Sequence, residues 1–298
     1  AADLFRGTGV AVVTPFDELG APDLPALERV VKHLVDDGVD YLVPMGTTGE
    51  GVTLTEDETH ACLEVILNTN NGKVPVLLGA GGNNTAQVAA KMAKWEARYT
   101  FDGFLSVSPS YNKPTQEGIY QHYRHLAQTS KKPIILYNVP GRTASNMLPE
   151  VVLRLAHDFP TIVGIKEASA DLIQGSAIVA GRPAGFLVLS GDDFLGVPGV
   201  AQGYDGIISV TANAFPHSFT QMIRAALAGD FVTARDLHYA MLPNMKLNFA
   251  EGNPAGVKAL MEKRGLCQRH VRLPLVPASD GLAEQIGQAY MAIEHQIR

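Results

Sequence analysis

The sequence predicts a (β/α)₈ barrel followed by a C-terminal helical extension. Its 298 residues are enough for one large α/β domain. Eight short β-rich runs alternate with helical stretches, and after residue 229 only helical patterns remain. Alternating strands and helices indicate parallel strands joined by right-handed crossovers. Eight such units in this length are typical of a (β/α)₈ barrel.

The predicted strands are short, apolar and rich in β-branched residues. They cover 9–15, 40–46, 74–80, 102–109, 132–139, 161–169, 186–193 and 205–213. The stretches between them, such as 24–38 and 85–99, repeat apolar residues every three or four positions and predict helices. An open doubly wound sheet is the alternative. The segment "GTGVAVVTP" lacks the third glycine of a dinucleotide-binding turn and precedes the first strand, which favours the barrel.

The chain is expected to divide into a barrel over residues 1–229 and a helical extension over residues 230–298. Three helical patterns occupy 230–250, 254–265 and 281–297 of the extension. The segment between the last two, "VRLPLVPASDG", combines prolines with glycine and is predicted to be a loop.

Composition excludes several classes of function. Hydrophobic residues make up 46% of the chain and charged residues 18%, which is typical of a globular protein. A net charge of −6, without a basic cluster, argues against binding to nucleic acid or to an anionic membrane. Cys62 and Cys267 are too few for a disulfide scaffold and wrongly spaced for a zinc site. Without a signal-peptide pattern or an apolar span, the expected location is cytoplasmic.

The sixth strand carries an unusual residue, because "TIVGIKEAS" ends a buried apolar run on a lysine. Strict alternation along the strand would place Ile162, Gly164 and Lys166 in the barrel interior. It would place the residues between them under the outer helices: Val163, Ile165 and Glu167. Lys166 would then lie near the carboxyl ends of the strands, where barrel enzymes perform their chemistry. A desolvated lysine can attack a carbonyl, whereas the simpler alternative is a lysine that reaches solvent or pairs with Glu167.

Other strand ends add polar groups to the same rim. Thr47 and Thr48, in "GTTGE", supply hydroxyls that suit a carboxylate. Tyr137 can pass a proton and Arg142 offers a planar fork for a second carboxylate, both within "YNVPGRT". Tyr111 lies on the loop after the fourth strand. Taken singly, these residues suit a turn, core packing or a solvated surface; together they indicate one active site.

Six segments, in this order and spacing, resemble the dihydrodipicolinate synthase family: "GTTGE", "SYNKPTQEG", "YNVPGRT", "GIKEAS", "SGDD" and "GIISVTAN". These are Schiff-base lyases of the N-acetylneuraminate lyase superfamily, and the resemblance covers essentially the whole chain, including "NPAGVK" in the extension. It implies a barrel, commonly tetrameric, that condenses pyruvate with L-aspartate-4-semialdehyde on the route to diaminopimelate and lysine. It also implies that no metal or cofactor is required.

The resemblance further implies a role for each matching residue. Lys166 corresponds to the lysine that forms the imine with pyruvate, and Tyr137 to the tyrosine that shuttles protons. Thr47 and Tyr111 correspond to its relay partners, with Tyr111 reaching into the site of a neighbouring subunit of a homo-oligomer, a dimer or a tetramer. The remaining matches are substrate contacts: Thr48 with the pyruvate carboxylate, Arg142 with the semialdehyde carboxylate, and the backbones of Gly191 and Ile208.

The chain departs from lysine-inhibited members of that family at four positions. Ser110 replaces a tyrosine, Glu56 and Thr59 stand where sensitive bacterial members carry histidines, and Gln87 replaces a glutamate. A bound amino acid needs paired charges and a stacking wall to offset its desolvation. The expectation is therefore weak inhibition by lysine, or none.

Several rival functions would use some of the same residues. An N-acetylneuraminate lyase or a 2-keto-3-deoxy sugar acid aldolase would share the lysine and tyrosine, but Arg142 does not suit a polyol. A pyridoxal-phosphate enzyme would need a phosphate cup that the sequence does not provide. A non-catalytic barrel that acts as a sensor is disfavoured because every catalytic residue type is present. His122 and His125 lack a third ligand for a metal site.

Overall fold

The computed structural model describes residues 2–297. Eight strands form one parallel sheet in the order β2-β1-β8-β7-β6-β5-β4-β3, and a parallel bridge between Leu42 and Val76 links its two edges. The predicted (β/α)₈ barrel is confirmed. The strands are β1 Gly7–Ala11, β2 Tyr41–Val43, β3 Leu77–Gly79, β4 Gly103–Val107, β5 Ile134–Asn138, β6 Ile162–Glu167, β7 Leu187–Ser190 and β8 Gly206–Ser209.

Twelve α-helices surround and extend this barrel within residues 2–297. Several helices are capped at their amino termini by side chains. Asp23 and Asn84 each cap the helix that follows them, and Thr55 and Glu58 form a reciprocal capping box at the start of the helix that begins at Glu56. The helices are α1 Leu24–Asp36, α2 Glu56–Asn70, α3 Thr85–Arg98, α4 Gln116–Thr129, α5 Pro140–Thr143, α6 Pro149–Asp158, α7 Leu172–Gly181, α8 Gly196–Ala201, α9 Pro216–Leu227, α10 Phe231–Leu247, α11 Ala255–Lys263 and α12 Asp280–Ile293.

The strands are shorter than predicted at their carboxyl ends. The eighth was expected to run to residue 213, but it ends at Ser209 and a 3₁₀ turn follows over Thr211–Asn213. The Asp193 carboxylate accepts the N–H groups of Val210 and Thr211 at 3.3 and 2.8 Å. Side-chain acceptors thus replace the ladder at the rim, so strand-like residues leave the sheet.

The expected alternation in β6 is wrong at its first two residues. Ile134 of β5 pairs with Ile162, whereas Ile135 pairs with Gly164, so Val163 is skipped at a β-bulge. Ile162 therefore packs in the outer core, and Val163 contacts the barrel interior. From Gly164 onward the alternation holds. A Cβ on Gly164 would lie 2.8 Å from the Leu187 carbonyl oxygen, so this position has no room for a larger residue.

Two apolar cores form around the sheet. The inner core fills the barrel and consists of Phe5, Ala11, Tyr41, Val43, Leu77, Leu105, Ile135, Tyr137, Val139, Leu187, Leu189 and Ile208. The outer core lies between strands and helices, and it continues into the extension through Met241, Met245, Leu260 and Ile286. The extension packs on the barrel through this shared core, while its status as a separate domain stays a prediction.

The three helices predicted for the extension are present as α10, α11 and α12. No helix within residues 2–297 is long and apolar enough to cross a membrane.

Candidate active site

A cavity of about 1280 Å³ opens at the carboxyl ends of the barrel strands. Six of the predicted site residues line it: Thr47, Thr48, Tyr137, Arg142, Lys166 and Gly191. They follow or end four different strands, so the parallel barrel alone brings them to one rim. The position and size of the cavity suit a binding site for small molecules.

Lys166 ends near the centre of this cavity, on the interior face of β6. It is 5% exposed, and its Nζ lies 4.3 Å from the centre of the Tyr137 ring. Its ammonium group makes no ion pair or hydrogen bond within residues 2–297. A buried amine without an acidic partner is costly for folding, which indicates a functional position.

The alternative in which Lys166 pairs with Glu167 does not hold. Glu167 projects from the opposite face of β6, where its carboxylate accepts hydrogen bonds from the amides of Asn138 and Gln174 at 3.0–3.2 Å. The Ser169 N–H donates to the same carboxylate at 2.8 Å. This buried carboxylate is satisfied by neutral donors, so the amine of Lys166 is left facing the cavity.

Tyr137 stands beside Lys166 because their strands pair in register there, with Tyr137 opposite Lys166. The ring is mostly buried in the inner core. Its hydroxyl makes no hydrogen bond within the described chain and is available to a ligand. A phenol can both donate and accept a proton at this place.

Gly191 follows β7 on the other side of the lysine. Its N–H donates to the Glu167 carbonyl oxygen at 2.8 Å. A Cβ at this position would lie 2.5 Å from the Ala168 Cβ and 3.1 Å from the Lys166 Cε. Any larger residue would press on the lysine stem, so glycine keeps the amine accessible.

The loop that carries Thr47 and Thr48 is clamped at its backbone. The Glu50 N–H donates to the Thr47 carbonyl oxygen at 3.0 Å, and the Thr14 hydroxyl donates to the Gly49 carbonyl oxygen at 2.6 Å. Thr48 is 2% exposed, and its Oγ1 accepts a hydrogen bond from Nδ2 of Asn253 at 2.9 Å. The two threonines therefore occupy fixed positions at the cavity wall.

A buried ion pair joins this loop to the extension. Lys258 of α11 is fully buried, and its Nζ contacts Oε1 of Glu50 at 2.7 Å and donates to the His270 carbonyl oxygen at 2.8 Å. The Arg272 N–H donates to the other Glu50 oxygen at 2.9 Å. The cations of Lys258 and Arg272 lie near the Phe16 ring, at 4.4 and 4.6 Å from its centre.

Arg142 lies at the mouth of the cavity, on the short helix α5. It is exposed, and its guanidinium has no hydrogen-bond or ion-pair partner among residues 2–297. A free guanidinium at the mouth is suited to a carboxylate on an entering ligand.

Two predicted residues do not line the cavity of their own chain. Ile208 is buried in the inner core. Tyr111 is 88% exposed and points away on the loop after β4, with a left-handed backbone at φ 72°. Its N–H is tied to the Thr143 carbonyl oxygen at 3.3 Å. A left-handed backbone is strained for a tyrosine, and strain of this kind occurs at functional sites.

His122 and the two cysteines occupy buried positions in the structure. His122 is buried and hydrogen-bonds the Thr85 hydroxyl at 2.9 Å, and burial lowers its pKa to about 4. Within residues 2–297 no group of three or more His, Cys, Asp or Glu residues could hold a metal ion. Cys62 and Cys267 are free and buried, and burial raises the pKa of each thiol to about 11.

Three of the four positions linked to lysine inhibition line the cavity. Ser110, Glu56 and Thr59 line it, whereas Gln87 does not. Glu56 is already engaged, because it contacts the ammonium group of Lys94. The expectation of weak or absent inhibition by lysine stays a prediction.

Asn253 and Glu50 line the cavity and Lys258 pairs with Glu50, and none of these three contacts was predicted from the sequence. Both residues of the extension belong to "NPAGVK", which was noted only as part of the family pattern. Their partners lie more than 200 positions away in the chain. The available signal was a buried-looking lysine inside an apolar helical pattern, "AGVKALM".

Comparison with known proteins agrees with this geometry. The sequence model of the dihydrodipicolinate synthetase family matches residues 4–293. The 4-hydroxy-tetrahydrodipicolinate synthase of Flavobacterium psychrophilum is 48% identical, over 95% of this chain and 96% of its own.

Solved structures give the same result. The dihydrodipicolinate synthase of Thermotoga maritima superposes with a TM-score of 0.94 at 39% identity, covering 97% of each chain. The dihydrodipicolinate synthase of Acinetobacter baumannii, solved with pyruvate, superposes with a TM-score of 0.92 at 37% identity, over 96% of this chain and 98% of its own. The chain belongs to the dihydrodipicolinate synthetase family.

Proposed function

We propose that the protein is a Schiff-base-forming lyase that condenses pyruvate with L-aspartate-4-semialdehyde, the 4-hydroxy-tetrahydrodipicolinate synthase reaction. The observation that carries the proposal is the buried amine of Lys166, which faces Tyr137 without an acidic partner. Family membership and the names of the relatives supply the substrates. The direct test is formation of the condensation product by the purified protein from these two substrates.

The first half of the proposed reaction takes place at Lys166. Its neutral amine attacks the ketone carbon of pyruvate, and loss of water gives an iminium. Thr48 donates a hydrogen bond to the pyruvate carboxylate, and Gly191 contributes its backbone at the cavity wall. Loss of a methyl proton then gives an enamine, with the protonated nitrogen as the electron sink.

Tyr137 moves the protons of this sequence. Its ring lies beside the reacting amine. Its free hydroxyl can protonate the departing hydroxyl of the carbinolamine and later take a proton back. Thr47 and the Tyr111 of a neighbouring subunit complete the relay. The exposure of Tyr111 in a single chain supports this assignment.

The second half of the reaction brings in the semialdehyde at the mouth of the cavity. Arg142 holds its carboxylate, and the enamine carbon attacks its aldehyde carbon, which forms the new carbon–carbon bond. The amino group of the semialdehyde then attacks the imine carbon and displaces Lys166, closing the ring and restoring the free enzyme. The overall reaction releases one molecule of water and needs no oxidant or reductant.

The active assembly would be a homo-oligomer, a dimer or a tetramer, in the cytoplasm. Two observations support this part of the proposal. Tyr111 is held outward in a strained conformation, and both cysteines are free buried thiols, as is usual in a reducing compartment.

Replacement of Arg142 should separate the two substrates. Arg142→Ala should still form the pyruvate imine but lose about 2–4 kcal/mol of transition-state stabilisation with the semialdehyde, because a charge-assisted contact disappears. This corresponds to a fall in kcat/KM for the semialdehyde of roughly 30- to 900-fold. Steady-state kinetics with each substrate varied in turn would measure it.

Arg154→Ala is the matched control, because this arginine pairs with Glu117 on the outer helices and should leave both substrates unaffected. Normal use of the semialdehyde by Arg142→Ala would contradict the carboxylate role.

Tyr111 should act across a subunit boundary. Tyr111→Phe and Lys166→Ala are each expected to be nearly inactive, but mixed oligomers of the two should recover activity, since some sites then combine an intact Tyr111 with an intact Lys166. Activity is measured after subunit exchange, which is verified by native mass spectrometry. Recovery in proportion to the hybrid fraction supports the arrangement; exchange without recovery would place Tyr111 in its own barrel.

A further inference from the structure

One side chain of the extension reaches the cavity wall. Asn253 lies just before α11, lines the cavity and donates from Nδ2 to Oγ1 of Thr48 at 2.9 Å. Both residues are buried. Asn253 Oδ1 has no partner within residues 2–297, so the hydrogen bond to Thr48 is the one that its side chain makes there.

This contact sets the direction of the Thr48 hydroxyl. A threonine hydroxyl has one proton to donate and lone pairs that accept. Because the Asn253 amide donates to Oγ1, the proton of Thr48 remains for another acceptor. No other group among the described residues accepts it. The Thr48 hydroxyl is therefore free to donate its proton to a ligand in the cavity. A carboxylate suits this donor, because both of its oxygens accept hydrogen bonds.

We propose that Asn253 is a positioning residue that fixes Thr48 as a hydrogen-bond donor to the substrate carboxylate. This inference rests on the proposed function, in which Thr48 contacts pyruvate. It explains why a neutral amide suits this place: an aspartate of similar shape would accept the Thr48 proton and bring a negative charge toward an anionic substrate.

The loop that carries Thr47 and Thr48, here called the threonine loop, does not depend on Asn253 for its backbone conformation. It is held by the hydrogen bonds of Thr14 and Glu50 and by the ion pair between Glu50 and Lys258. A substitution at Asn253 should thus change the direction of one hydroxyl without unfolding the loop.

The test begins with Asn253→Asp, with pyruvate varied at saturating semialdehyde. We expect KM for pyruvate to rise about tenfold or more, as for loss of a hydrogen bond to a charged group, while kcat changes less than about threefold. Asn248→Asp is the matched control, since Asn248 also donates to a buried threonine hydroxyl, that of Thr211, at 3.1 Å. It should leave KM for pyruvate unchanged.

A double-mutant cycle separates positioning from a general structural effect. Thr48→Val should raise KM for pyruvate, and adding Asn253→Ala to it should raise KM no further, because the hydroxyl through which Asn253 acts is gone. In the wild-type background Asn253→Ala should raise KM by less than Asn253→Asp, because it removes the donor without adding charge, and it serves alone if the aspartate variant does not fold.

Three results would overturn the inference. The first is an unchanged KM for pyruvate in both Asn253 variants, and the second is the same fold-rise in KM on Asn253→Ala with and without Thr48→Val. The third is a rise in KM in Asn248→Asp equal to that in Asn253→Asp. Borohydride trapping of pyruvate on Lys166 at saturating concentration is run in parallel. Trapping that persists while KM is unchanged contradicts the role of Asn253 alone, whereas a wild-type protein that is not trapped contradicts the proposed function and this inference with it.

Discussion

Lys166→Met is expected to abolish condensation, with a loss of at least about ten-thousand-fold in turnover, because the substitution removes the amine that forms the imine. The substitution should not destabilise the fold. Lys166 has no ion pair to lose within residues 2–297, and methionine keeps most of its volume beside Tyr137. Turnover and thermal unfolding, measured on the same preparation, check both expectations.

Lys91→Met is the matched control for this variant. Lys91 also lines the cavity, where its Nζ lies 5.3 Å from the centre of the Trp95 ring. Its replacement should leave turnover close to that of the wild type. Turnover of Lys166→Met within tenfold of the wild type would mean that the chemistry does not pass through this amine.

Lys258→Met should cause the largest loss of stability. The lysine is fully buried and Glu50 is 2% exposed, so the substitution leaves a buried carboxylate whose only partner within residues 2–297 is the backbone N–H of Arg272. Breaking a buried pair in this way costs about 3–5 kcal/mol. Chemical unfolding at fixed protein concentration should show a lower midpoint and a free energy of unfolding that is lower by this amount.

A second substitution tests the cause of that loss. Glu50→Gln in the Lys258→Met background removes the stranded charge and should recover part of the stability. Lys32→Met is the surface control, because Lys32 and Asp36 form an exposed pair on α1 whose loss should leave the midpoint nearly unchanged. Equal midpoints for Lys258→Met and Lys32→Met would show that the buried pair does not hold the threonine loop.

Local sequence patterns were sufficient to predict the barrel and most of the site residues at its rim. The alternation of apolar residues placed Lys166 on an interior face, and parallel strands with a common direction bring the end of the Tyr137 strand to the same rim. Thr47, Thr48, Arg142 and Gly191 follow from the same rule, because each lies on the loop or short helix that follows a strand. No long-range information was needed for these residues.

Features that depend on distant contacts were not predictable from those patterns. The bulge at Val163 arises from pairing between β5 and β6, and periodicity within one strand does not contain it. The contacts of Asn253 and Lys258 with the threonine loop join residues more than 200 positions apart. The early end of β8 depends on the Asp193 carboxylate, which belongs to another rim loop.

The central claim is that Lys166 forms a covalent imine with pyruvate, and borohydride reduction followed by peptide mass spectrometry tests it most directly. The account predicts one reduced pyruvyl group per chain, located on Lys166, with none on Lys91 or Lys258 and no adduct in Lys166→Met. Labelling of a different lysine, or no adduct at saturating pyruvate, would contradict it.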